Sequence, residues 1–160
     1  MKKLFIIFTI MLIAFASCKK EEPIYDVNQI QSTSYNANKN KLKSTAQYIS
    51  ILYANLFQKA LSANEMVEIT RCIESIGDKE VAHEIVLSNF MNQSGVTLPS
   101  DSLMRGDLDV FLEETYKRFY VRDITEAERE FFLKFFESHP DVSAEMVYSA
   151  FSLSNEYQFY

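Results

Sequence analysis

From Lys41 to the end of the chain, apolar residues recur three and four places apart with few glycines or prolines to interrupt them, the pattern of successive amphipathic helices. A first helix is predicted from about Leu42 to Leu61, with Tyr48, Leu52, Phe57 and Leu61 near one face. Ser62 and Glu65 then form a capping box that opens a second helix, which reaches about Ile76 and is broken by Gly77. Asp78 is placed to cap a third, carrying Val81, Ile85 and Phe90. Ser94 to Ser100 reads as a loop. Asp101 starts a fourth helix through Val110, Phe111 and Tyr116, and Thr125 with Glu128 makes a second capping box opening a fifth, which His139-Pro140 ends. Ser143 caps a sixth that carries Met146, Val147, Ala150 and Phe151. No stretch alternates as a strand does, so the expected fold is all-α, a six-helix bundle over residues 41–160.

The two capping boxes lie 63 residues apart, and the same shift pairs Tyr53 with Tyr116, Glu74 with Glu137, Ser75 with Ser138 and Asp78 with Asp141. After a two-residue gap, Glu84, Val86, Ser88 and Phe90 meet Glu145, Val147, Ser149 and Phe151. The bundle is therefore expected to be two three-helix repeats, about 41–93 and 101–160, each covering the other's apolar face.

The chain begins differently. Lys2 and Lys3 precede an uncharged apolar run of twelve residues, Leu4 to Phe15, too short for the ~20 residues of a membrane-crossing helix. Residues 1–17 read as a signal peptide. Its end, Phe15-Ala16-Ser17-Cys18, resembles the lipobox read by lipoprotein signal peptidase, which implies a covalent lipid on Cys18 as the new N-terminus; ordinary cleavage after Ser17 is the other reading. Two or three acyl chains, at about 0.8 kcal/mol per buried methylene, hold a protein on a bilayer almost permanently. The mature start, Cys-Lys-Lys-Glu-Glu, resembles the surface-export signal of Bacteroidota outer-membrane lipoproteins, with Lys20, Glu21 and Glu22 in its places. That resemblance implies display on the cell surface, with the periplasmic face as the alternative. Pro23 to Asn40 is rich in Asn, Gln, Ser and Thr, so 18–40 is expected to be a flexible tether.

The second half carries another likeness. Tyr116 to Arg122, then Thr125-Glu-Ala-Glu128, and the closing Ser154-Asn-Glu156-Tyr157 resemble the C-terminal helical module of planctomycete-type secreted proteins of unknown function. The resemblance implies a compact helical module and no activity.

Charge narrows the partners. Losing Lys2 and Lys3 with the signal peptide takes the net charge from -6 to -8, and no basic face is clustered, which argues against nucleic acid. Cys72 is left as a lone cysteine and, within an apolar helical pattern, is expected to be a buried small hydrophobe. His83 and His139 lack metal-ligand spacing, Gly77, Gly95 and Gly106 are too scattered for a phosphate loop, and no metal or cofactor is expected. The acidic pairs Glu21-Glu22, Glu113-Glu114 and Glu126-Glu128 suit helix starts and solvated faces better than acid–base catalysis. Serines 149, 152 and 154 have no nucleophile elbow around them, so no catalytic residue is assigned.

Two aromatic groups remain. Phe131, Phe132, Phe135 and Phe136 make a wide helical face expected to pack in the core. Tyr157, Phe159 and Tyr160 must either dock on the body or stand exposed as a partner contact. The expected function is a non-catalytic accessory subunit of an outer-membrane complex for secretion, assembly or uptake. The alternative is a stand-alone glycan- or peptide-binding lipoprotein serving a transporter through a groove between the repeats. A concave groove with exposed aromatics favours the second, and a flat apolar patch near the tether the first.

Overall fold

The computed structural model describes residues 39–160. The signal peptide, Cys18, Lys20, Glu21 and Glu22 lie outside the described residues. The described body is all-helical, with seven α-helices among the described residues: α1 (Thr45–Phe57), α2 (Ala63–Ser75), α3 (Lys79–Met91), α4 (Asp101–Gly106), α5 (Leu108–Tyr120), α6 (Glu126–Ser138) and α7 (Ala144–Leu153). A 3-10 turn, Glu156–Gln158, precedes the last two residues.

The expected count of six is corrected by Asp107. Its side chain accepts from the Val110 N–H and caps α5, so the predicted fourth helix is two, with α4 ending at Gly106. Ser100, rather than Asp101, caps α4, and the Asp101 carboxylate instead accepts from the Ala144 N–H at 2.8 Å, fixing the start of α7. The first helix is also shorter than predicted. Ser44 caps it in a reciprocal box with Gln47, and Gln58 ends it in the left-handed region.

The register of the two halves is exact to the residue in their first two helices. Adding 63 to the bounds of α1 and α2 gives those of α5 and α6. The N-caps Ser44 and Ser62 fall on Asp107 and Thr125, and the left-handed C-cap Gln58 (φ 53°) falls on Val121 (φ 51°). The buried set of α1, Tyr48, Ile49, Leu52, Leu56 and Phe57, maps onto Phe111, Leu112, Thr115, Phe119 and Tyr120 of α5, all buried. Asn55 and Arg118, equivalent under the shift, touch: the Arg118 Nε donates to the Asn55 carbonyl at 2.7 Å. The halves also meet where α3 lies along α7.

Helix phase decides which apolar residues turn inward, and it corrects the expectation for Cys72. On α3 the buried residues are Ala82, Val86, Leu87 and Phe90, and Val81 and Ile85 are exposed. On α2 the inward residue is Ile73, with Ile69 partly buried one turn earlier, so Cys72 falls beside that stripe and is exposed rather than buried.

Candidate binding site

The C-terminal segment docks. Lys41 and Tyr160 exchange backbone hydrogen bonds at 3.2 and 2.9 Å, and the Lys43 N–H donates to the Gln158 carbonyl at 2.8 Å, so residues 41–43 form an antiparallel clip with the tail instead of the first turn of a helix. Tyr157 is fully buried; its hydroxyl accepts from Asn55 at 3.0 Å and its ring meets Tyr48 and Phe119. It is a core residue and is withdrawn as a partner contact. Phe159 and Tyr160 remain half-exposed.

The residues that carried the likeness in the second half converge on one guanidinium. Arg122 donates to Glu156 through Nε (2.6 Å) and an Nη (2.8 Å), and to Glu128 through both Nη atoms (2.6 and 2.9 Å). It also lies over the Tyr116 and Tyr120 rings at 4.8 and 5.6 Å. Thr125 donates its N–H and hydroxyl to Glu128, and the Tyr120 hydroxyl donates to Ser154 at 2.7 Å. The Arg122 hydrogen bonds hold the Glu128 carboxyl at about 2 and Arg122 itself well above its ordinary value. Carboxylates fully engaged by an arginine are poor acids or bases at neutral pH, so this cluster is a clasp between the α5–α6 turn and the tail.

The aromatic face of α6 departs from expectation. Phe136 is buried against Phe111, but Phe132 and Phe135 are half-buried and Phe131 is 63% exposed. Facing them on α7 is Met146, 54% exposed, with Ala150 one turn on. Between the helices lies a cleft of about 440 Å³ whose walls are these residues with Val142 and Phe151. Phe131 stacks on Phe135 at 6.1 Å, and Phe135 stacks on His139 at 4.3 Å, so the rings form a continuous ledge. The only hydroxyl on its wall, that of Tyr120, is spent on Ser154.

The first half shows what scaffold alone requires at these positions. Phe131, Phe132, Phe135 and Phe136 correspond to Glu68, Ile69, Cys72 and Ile73. The inward positions stay apolar in both copies, whereas the outward ones are Glu and Cys in one and phenylalanine in the other. The larger rings also hold α6 further from α5 and α7 than α2 lies from α1 and α3, which opens the cleft. Periodicity located the stripe but could not show that its facing helix stands off.

The remaining candidates have structural employment. Glu113 and Asp109 pair with Arg129 at 2.8 and 2.6 Å, and Glu126 lies 3.9 Å from the same guanidinium. The Ser152 hydroxyl is buried and donates to the Tyr148 carbonyl. His83 stacks on Tyr48 at 3.9 Å, with its pKa lowered by burial and by Lys79. Among the described residues no three His, Cys, Asp or Glu side chains are grouped to hold a metal ion, and no helix is long and apolar enough to cross a membrane. Compared with family models, curated proteins and solved structures, the chain matches none of them.

Proposed function

We propose that this chain is a lipoprotein, anchored in the outer membrane by lipid on Cys18 and displayed on the cell surface through Lys20, Glu21 and Glu22, that acts as a non-catalytic accessory subunit by seating an amphipathic helix of a partner in the α6–α7 groove. The observation that carries the reading is the groove: exposed Phe131 and Met146 on two walls, where the first half sets Glu68 opposite the exposed Ile85 and so lacks the aromatic wall. An open trough between two helices with anchors one turn apart suits a third helix presenting aliphatic residues at i, i+3, i+4 and i+7. Covering the two exposed side chains contributes roughly 2 kcal/mol each, enough for a hot spot once neighbouring contacts exclude water.

The groove's concavity also favours the second reading, a stand-alone binding lipoprotein. Its lining narrows that reading to apolar peptide, because a sugar needs hydrogen-bonding side chains beside the aromatic ledge and the lining supplies none that is free.

The test is mild-detergent affinity purification of the full chain from outer membranes, alongside Phe131→Asp/Met146→Asp, with intact cells protease-shaved in parallel. A stoichiometric membrane partner lost in the double variant supports the subunit reading. A protein recovered alone defeats it in favour of peptide binding, and resistance to shaving refutes surface display.

A further inference from the structure

A second cavity, of about 290 Å³, lies on another side of the body where α1, the end of α5, the entering segment and the C-terminal tail meet. Its character is opposite to that of the groove. Lys39, Lys43 and Arg118 line it together with Ile51, Phe159 and Tyr160, and Phe119 and Tyr120 form part of its wall. These cations stand in a protein of net charge -6.

Lys43 is the unusual one. It is 9% exposed, a burial lysine rarely accepts without a counter-ion. Its Nζ donates to the Tyr157 carbonyl and sits over the Tyr157 ring at 3.9 Å, and among the described residues no carboxylate forms an ion pair with it. A carbonyl and a ring face take part of what an ammonium with three donors requires. On the cavity side, Glu156 is 3.6 Å from Lys39 and already engaged on both oxygens by Arg122. Burial and the neighbouring Lys39 charge bring Lys43 down to about 8, as expected of a desolvated cation that lacks an anion. On the cavity side the charged and titratable groups around it are Lys39, Arg118, Tyr157 and, beyond Lys39, Glu156; on its other side Lys79, Glu80, His83 and Glu84 of α3 line a separate hollow with it, and neither of those carboxylates forms an ion pair with it.

Val121 lines the mouth of the cavity and is 58% exposed; its left-handed backbone (φ 51°) is the helix C-cap that Gln58 repeats in the first half.

We infer that this cavity binds a small anion with a flat apolar body: a carboxylate or phosphate head between Lys39 and Lys43, and a ring among Ile51, Phe159 and Tyr160. The volume is near the lower end for small-molecule sites and fits one ring with a short acidic arm. This inference stands apart from the groove reading, since the two cavities are lined by different residues apart from Tyr120.

The test uses the full chain in detergent, with phenylacetate and phenyl phosphate as probes and benzyl alcohol as the uncharged control, followed by ligand-observed NMR. The Lys43 ammonium is followed by carbon-13 methylation. Both anions are expected to bind, to raise the Lys43 pKa, and to bind at least about tenfold more tightly than benzyl alcohol, the scale of a charge-assisted hydrogen bond. Lys43→Met should abolish binding. Because that change also frees the Tyr157 carbonyl, Val121→Asp serves as a second variant: it leaves the core untouched, suits the left-handed turn better than valine, and sets a negative charge at the mouth, so it should weaken both anions about tenfold in a folded protein. Equal binding of benzyl alcohol, an unmoved Lys43 pKa in the presence of either anion, or no binding at about 10 mM, weaker than the weakest specific sites, would overturn the inference.

Discussion

Replacing Arg122 with methionine removes the centre of the clasp and leaves Glu128 and Glu156 facing each other with Lys39, 3.6 Å from Glu156, as the remaining counter-charge. The native guanidinium makes four bonds of 2.6–2.9 Å to the two carboxylates. Were they fully buried, charge-assisted bonds at about 1.5–3 kcal/mol each would make the loss ruinous. The side chains are 23%, 32% and 31% exposed, so water re-solvates much of what is lost and the cost falls to about 2–3 kcal/mol. For a body of this size each kcal/mol is roughly 3–5 °C in Tm, so differential scanning calorimetry should find a fall of about 6–15 °C. The triple variant Arg122→Met/Glu128→Gln/Glu156→Gln, which removes the stranded charges as well, should recover about half of that. The acid limb gives a second reading of the same contact. Glu128 is held at about 2 against an ordinary 4.5, so its contribution is complete above pH 4.5 and is lost as the pH falls towards 2. Arg122→Met should flatten the stability profile in that window. A triple variant no more stable than the single one, or an unchanged acid limb, would refute the account of the clasp.

Tyr157→Ala should cost about 3–5 kcal/mol in urea denaturation, because it empties a fully buried ring site, while Tyr160→Ala should cost under about 1 kcal/mol. Val121→Gly relieves a β-branched residue at positive φ and should stabilise the protein by about 1 kcal/mol in the same assay, offset in part by glycine's freedom in the unfolded chain. Cys72 should react with a maleimide in the native protein as fast as a free thiol, and Cys72→Ser should change stability by less than about 0.5 kcal/mol; protection from the reagent would return Cys72 to the core.

Local chemistry explains which features were legible in the sequence. Ser62, Thr125, Asp78 and Ser143 cap where their side chains and neighbours indicate, because a cap is decided within one turn. The 63-residue shift was visible because Tyr53/Tyr116 and the two capping boxes repeat, and the left-handed caps at Gln58 and Val121 follow it although neither is a glycine. Where a residue faces depends on partners far along the chain, and there the sequence misled. Cys72 and Ile73 are adjacent and both apolar, and only the placement of α1 and α3 decides that Ile73 is inward. Phe131 and Phe135 lie beside the inward Phe132 and Phe136 on one wide aromatic face, and only the placement of α7 decides how much of that face is covered. Lys43 reads as a solvated lysine until the tail, 114 residues later, closes over it.

The clip between residues 41–43 and 158–160 makes the linear order of the two halves interchangeable. Because Lys41 and Tyr160 already sit opposite each other on antiparallel segments, a two-residue Asn-Gly turn joining them would complete a hairpin without moving either. New ends could then be opened between Gln93 and Val96, beside Gly95 at φ 97°, giving a circular permutant that starts with α4 and finishes with α3. In such a permutant any segment placed ahead of the body would join it at α4 rather than at Lys41, so the groove could be reoriented relative to that point of attachment while every helix pairing is retained.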